Sequence, residues 1–135
     1  MIEIRNLTKS FNPDSFVLEN LNCTIKDNAI YGLVGANGAG KSTLLRLINS
    51  IYKPNSGSIS IDGINTYDNE ELKQDMVFVP DDLFFYSGYT LMDMASYYEA
   101  LYNKFDMNYV IEKANKLKLN LNTKISSYSK GMKRQ

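Results

Sequence analysis

Eight consecutive residues, Gly35-Ala36-Asn37-Gly38-Ala39-Gly40-Lys41-Ser42, carry the spacing G-x-x-x-x-G-K-[ST]. That spacing is suited to holding a polyphosphate. Glycines let the backbone curl around phosphate oxygens without Cβ clashes, and the inward N–H groups act as donors. A lysine in Lys41's place reaches the β- and γ-phosphates, and a hydroxyl in Ser42's place ligates Mg²⁺.

This chemistry needs a strand to deliver the loop and a helix to receive it. Ala29-Ile30-Tyr31-Gly32-Leu33-Val34 precedes the loop as a nearly unbroken apolar run and reads as a strand buried on both faces. Ser42 to Ile51 follows, with Leu44, Leu47, Ile48 and Ile51 at the spacing of one helix face. A helix starting at the loop adds partial positive charge where the phosphates would lie.

A length of 135 residues suits one domain with a real core. Hydrophobic and charged fractions of 44% and 22% are those of a globular protein. The formal net charge is zero, so no nucleic-acid footprint is expected. The charge is nonetheless segregated: Asp62 to Glu99 holds nine acids and one base, and Lys104 to Gln135 holds eight bases and two acids. Solvated helix faces explain this, and a partner's contact surface explains it too. The single Cys23 excludes an internal disulfide; between Leu21 and Ile25 it reads as a small core residue. The absence of histidine removes His-based metal and acid–base chemistry from these residues. Met1 to Arg5 does not read as the start of a signal peptide, and no apolar run among these residues is long enough to span a bilayer.

Elsewhere, Ile2, Ile4 and Leu7 begin a half-buried strand, Asn12 to Ser15 is a turn, and Leu21 to Lys26 alternates as a second strand. Ser58 to Ile61 alternates again and meets the turn pair Asp62-Gly63. Asp68 to Gln74 reads as a short helix capped by Asp68. Met76-Val77-Phe78-Val79 reads as a second continuous apolar strand, stopped by Pro80. Thr90-Leu91-Met92-Asp93 has the form of a capping box. Leu91, Met94, Ala95 and Tyr98 follow on one face, extended by Leu101 and Tyr102, and the dense aromatics here read as the core of a helical subdomain. Asp106 caps a further helix with Val110, Ala114 and Leu117 inward.

The last residues narrow the field. Ser129-Lys130-Gly131-Met132-Lys133 resembles the S-G-G-Q-type signature of ABC-transporter ATPases, in the S-K-G-M form of exporter-type members. Lys9-Ser10-Phe11 is similar to the end of that family's first strand, where an adenine-stacking aromatic sits. Val34 to Leu44 is similar to its phosphate loop, Pro54 to Ile59 with Asp62-Gly63 to its P-x-S-G-x-I hairpin, and Val77 to Asp81 to the approach to its Q-loop. The resemblance runs along essentially the whole chain. It implies an α/β fold: a P-loop NTPase sheet with an antiparallel β-subdomain and a helical subdomain, truncated before the Walker B strand. Residues 1–80 would form the nucleotide-binding core with the β-subdomain, and 81–135 the Q-loop region and helical subdomain up to the signature.

The resemblance further implies ATP and Mg²⁺ as cofactors. Phe11, Gly35, Asn37, Gly38, Ala39, Gly40, Lys41, Ser42 and Thr43 would bind the nucleotide, and Ser129 and Gly131 would face the γ-phosphate held by a second subunit. Lys41 is the catalytic candidate in the loop, and Ser42 is the metal ligand. Asp81 stands where the family has its Q-loop glutamine, so it becomes both a catalytic and a metal candidate with a shorter reach. Implied partners are a transmembrane permease subunit and another ATPase subunit, as homodimer or heterodimer, with no nucleic acid. The implied location is cytoplasmic, peripheral on the inner face of the cell membrane. The function implied is ATP binding and, at full length, hydrolysis driving export.

The chain stops inside the signature, so it reads as the N-terminal part of a longer protein, expected to bind Mg-ATP weakly without turnover and to self-associate through an exposed apolar edge. A non-transport ABC ATPase acting in translation or DNA repair is an alternative, separable by co-purification with an integral membrane protein. A GTPase is another, because Asn103-Lys104-Phe105-Asp106 matches the guanine-reading N-K-x-D. That match follows a helical pattern, and no D-x-x-G occurs, so a helix end with Asp106 as cap is the simpler reading.

Overall fold

In the computed structural model, which describes residues 1–135, the β-branched and leucine-rich start forms two long strands, β1 (Ile2–Asn12) and β2 (Ser15–Ile25), joined by the turn at Pro13-Asp14. A register shift between Ile4 and Leu7 changes the side-chain parity, so that both residues are buried although three apart. Asn6 takes positive φ there, and its N–H donates to Asn22 Oδ1 at 2.9 Å. β3 (Ser56–Ile61) pairs antiparallel with β1, and β4 (Ile64–Asn65) pairs with β3 through a turn in which Asp62 and Gly63 both have positive φ. The sheet order is β2-β1-β3-β4. Gly57 has φ 81°, and a Cβ on it would run into the carbonyls of Arg5 and Asn6, so glycine is what lets β3 begin against β1.

Across one face of this sheet lies α1 (Lys41–Ile48). Leu47 and Ile48 are buried with Ile4, Leu7 and Ile59, and Leu44, Tyr52 and Met76 pack at the margin. The helix is shorter than its apolar spacing suggests. Asn49 ends it, and Ile51 lies beyond it, exposed. These elements make up the first unit, Met1–Phe78.

The second unit is Val79–Gln135. It holds α3 (Leu91–Leu101) and α4 (Met107–Lys116); the four-residue α2 (Glu70–Lys73) belongs to the first unit. Both expected caps form. Thr90 Oγ1 accepts from Asp93 N–H at 3.1 Å while the Asp93 carboxylate accepts from Thr90 N–H at 2.8 Å, and Asp106 accepts from Tyr109 N–H at 3.0 Å. Met94, Ala114, Leu119, Ile125 and Tyr128 form the core, and the Tyr128 hydroxyl donates to the Asn120 carbonyl at 2.7 Å.

The α/β class holds, with an antiparallel sheet and few helices, but four local expectations are corrected. Ala29–Val34 and Met76–Val79 are not strands; Ile30 and Val34 are essentially fully exposed, and Val77 and Val79 about three-quarters so. An apolar run buries both faces only between flanking strands, and none of the four strands lies beside these segments. Cys23 is exposed: β2 is the outer strand of the sheet, and its partner Ile4 takes the place against the core. The short helix is capped by Asn69, whose side chain accepts from Leu72 N–H, while Asp68 turns the chain with positive φ. The aromatics near α3 are only partly core: Tyr102 and Phe105 are half-buried and Phe85 packs against the core. Tyr98 and Leu101 are exposed, as are Phe84, Tyr86, Tyr89 and Tyr97; Leu117 on α4 is likewise exposed. No helix is long and apolar enough to cross a membrane.

Candidate functional site

The loop Gly35–Gly40 leads straight into α1. Gly38 and Gly40 have φ of 84° and 85°, the left-handed region that glycine occupies freely. Gly40 also approaches β2 closely. A Cβ there would lie 2.9 Å from the Val17 carbonyl oxygen and from Leu18 Cδ2, so the loop is braced against the start of β2. Gly40 caps α1 without any side-chain hydrogen bond, and no acid lies in the first turn. The first helical bond runs from Leu44 N–H to the Gly40 carbonyl at 2.8 Å. The amides of Lys41, Ser42 and Thr43 precede it and have no intrahelical acceptor, as at any helix start. They form a set of donors with a favourable dipole and no competing carboxylate.

Lys41 folds back over the loop, and its ammonium donates to the carbonyls of Gly35 at 2.7 Å and Ala36 at 2.8 Å. These bonds hold the cation at the mouth of the loop. A triphosphate would compete with two neutral carbonyls for it, and charge-assisted bonds to phosphate are the stronger. The donor set therefore fits a polyphosphate. For magnesium, Ser42 supplies one hydroxyl, and no group of three or more carboxylate, histidine or cysteine side chains gathers anywhere in the chain. Mg²⁺ bound by one protein oxygen, with phosphate oxygens and water completing its shell, is the usual arrangement for this ion.

Phe11 stands at the end of β1, next to the turn into the strand segment that braces Gly40; Lys9 pairs with Leu18 and Ser10 with Phe16. Phe11 is 54% exposed. Tyr52 meets its edge at 5.3 Å between centroids and 77° between planes, and Lys9 Nζ lies 5.1 Å from its centroid. Tyr52 was not readable from the sequence. It becomes a neighbour of Phe11 because the chain turns back after α1, with Tyr52 N–H donating to the Arg46 carbonyl.

The other site residues lie in the second unit. Ser129 Oγ accepts from Met132 N–H at 3.1 Å, and the Ser129 carbonyl accepts from Lys133 N–H at 3.0 Å. Gly131 precedes the short 3-10 turn Met132–Arg134 with an ordinary φ of −66°. A Cβ on it would touch only Ser129 Oγ, so nothing in the second unit's own packing demands glycine there. Asp81 and Asp82 share a cleft of about 220 Å³ with Leu83, Phe85, Lys130, Lys133 and Arg134. Asp81 thus lines a cleft together with Lys130, Lys133 and Arg134 of its own unit, a grouping the sequence pattern of a metal ligand did not reveal.

Residues 18–135 match the family model described as ABC transporter. The chain belongs to the ABC transporter ATP-binding family. Members of this family hydrolyse ATP. It is 36% identical over all 135 residues to the ABC transporter ATP-binding protein YtrB of Bacillus subtilis, of which it covers 46%. It is 38% identical over 109 residues to the methionine import ATP-binding protein MetN 1 of Listeria monocytogenes, matching 73% of the chain and 30% of that protein. The structure of an ATP binding subunit of an ABC transporter superposes on 99% of the chain with a TM-score of 0.84 at 26% identity, the chain covering 58% of it. A dimeric structure of a bacterial ABC transporter cassette, MJ0796, superposes on 99% with a TM-score of 0.82 at 26% identity, with 66% of it covered. The chain therefore spans less than half the length of these curated relatives.

Proposed function

We propose that this chain binds Mg-ATP in the Gly35–Thr43 loop and that the whole protein couples ATP hydrolysis to transport through a transmembrane permease subunit. The observation that carries the reading is the loop itself: left-handed glycines, amides without side-chain caps at the start of α1, and Lys41 held at the mouth. Ser42 ligates magnesium, and Phe11 stacks on the base from the end of β1. Asp81 is the candidate to meet a magnesium-bound water. Two subunits close on two nucleotides, with Ser129 and Gly131 of one set against the γ-phosphate held by the other. The open space over Gly131 and the dimeric cassette among the structural relatives support this arrangement. Differential affinity of ATP for the closed pair is the driving term.

The aromatic row of the second unit, from Phe84 through Tyr86 and Tyr97 to Tyr98 and Tyr102, offers a surface for the permease. The protein then sits on the cytoplasmic face of the membrane without crossing it. Export is the direction that the S-K-G-M form of the signature favours. Import is the second reading, favoured by the relative named for methionine import. Calorimetric titration with Mg-ATP tests the core of the reading. Binding that weakens by about 10- to 100-fold in Lys41→Ala supports it, and binding of GTP in clear preference to ATP contradicts it. Transport assays on vesicles holding the co-purified permease decide the direction.

A further inference from the structure

We infer that Tyr52 is a positioning residue for the nucleotide base, holding the Phe11 ring as a fixed platform beside the phosphate loop. The inference rests on the ATP reading above. An isolated phenylalanine at a strand end, more than half exposed, has rotamers to spare, and a stacking partner must freeze them. Here that cost is met before any ligand arrives. The Tyr52 ring abuts Phe11 edge to face, 5.3 Å away at 77°, the favoured geometry of an aromatic pair. Lys9 Nζ lies 5.1 Å from the Phe11 centroid and 6.0 Å from that of Tyr52. The same ammonium is tied to the Lys53 carbonyl at 2.8 Å, one residue after Tyr52. On its other side, Tyr52 receives the Arg46 guanidinium at 5.9 Å. Two strand residues and the segment after α1 are thereby locked to each other, and what they leave open is ring surface at the hairpin that braces Gly40.

Such a device acts on the base and not on the phosphates. The contacts of Tyr52 run to Phe11, to Arg46 and to the margin of the first unit's core, so its loss should leave the phosphate seat intact. Removing the edge contact from an aromatic pair weakens Mg-ATP about three- to tenfold, the fold-change equivalent of such a pair. Binding of magnesium tripolyphosphate, which has no base, stays the same.

The test is calorimetric titration of the full chain with Mg-ATP and with magnesium tripolyphosphate, in the unaltered sequence and in Tyr52→Leu, Tyr52→Phe and Lys41→Ala. Circular dichroism checks the fold, and Tyr52→Met replaces Tyr52→Leu if the latter does not fold. The expected result is that Tyr52→Leu weakens ATP alone, Tyr52→Phe restores it, and Lys41→Ala weakens both ligands. Equal ATP affinity in Tyr52→Leu overturns the inference and leaves the ATP reading standing. Equal weakening of both ligands overturns it too, because Tyr52 then supports the loop and not the base. Indifference of both ligands to Lys41→Ala overturns the ATP reading itself. A spectroscopic arm uses Phe11→Trp, which places the chain's first tryptophan at the platform. Mg-ATP should quench its emission with Tyr52 present and less so with Tyr52→Leu; the same quenching in both contradicts a fixed platform.

Discussion

Lys41 is the side chain on which phosphate recognition turns. Its ammonium is bound to two carbonyls of its own loop, so part of its cost of ordering is already met, and a triphosphate need only exchange acceptors. Lys41→Ala should therefore weaken Mg-ATP by about 10- to 100-fold, the value of hydrogen bonds to a charged group, while adenosine binding is unchanged. Competition titrations with ATP and adenosine check this, and equal losses for both ligands would argue against it. Gly40→Ala should weaken ATP as well, for a different reason. The left-handed φ is strained for alanine, and the new Cβ would press on the Val17 carbonyl, so the loop must move away from β2. A crystal structure of that variant with an undisplaced loop would refute the bracing role given to Val17.

At the scale of elements, the caps and the core face of α1 carry measurable stability. Asp106→Ala removes the acceptor for Tyr109 N–H and should cost about 1 kcal/mol in urea unfolding. Leu47→Ala, at the centre of the first unit's core, should cost about 2–5 kcal/mol. The capping box adds a pH dependence. Thr90's N–H and hydroxyl hold the Asp93 carboxyl below its ordinary value. A folded pKa below the unfolded one means that the contribution is present above about pH 4, the unfolded carboxylate range, and is lost as pH falls through the folded value. Helicity of α3 should accordingly drop on acidification, and Asp93→Asn should flatten that drop; an unchanged acid profile in the variant would count against the box.

The elements also show why some of the structure was legible and some was not. The glycine loop, the Thr90-Asp93 capping box, the Asp106 cap and the Asp62-Gly63 turn are dictated by neighbours in the chain, so residue type and spacing suffice. Ala29–Val34 and Met76–Val79 have the composition of buried strands, but a strand is made by what pairs with it, and no flanking strand stands beside them. Cys23 was misread for the same reason, since alternation reports two faces but not which strand is outermost. Tyr52 meets Phe11 only through the turn after α1, a contact 41 positions apart that no local pattern encodes.

Taken whole, the chain exposes the apolar side chains Ile30, Val34, Val77 and Val79 in two segments that join no strand. Exposed apolar runs of this kind invite pairing with another chain, so the 135-residue chain should self-associate. Light scattering across a dilution series checks this; a monomer throughout contradicts it. Charge is balanced across the chain yet segregated, and the cationic cleft at Lys130, Lys133 and Arg134 faces Asp81 and Asp82 within one unit. The central claim remains the phosphate seat. A crystal structure of the chain with magnesium and a non-hydrolysable ATP analogue tests it most directly. The account predicts phosphate oxygens within hydrogen-bond reach of Lys41 Nζ and the first amides of α1, with the base on Phe11. A well-ordered analogue bound elsewhere, with the Gly35–Ser42 loop empty, would contradict it.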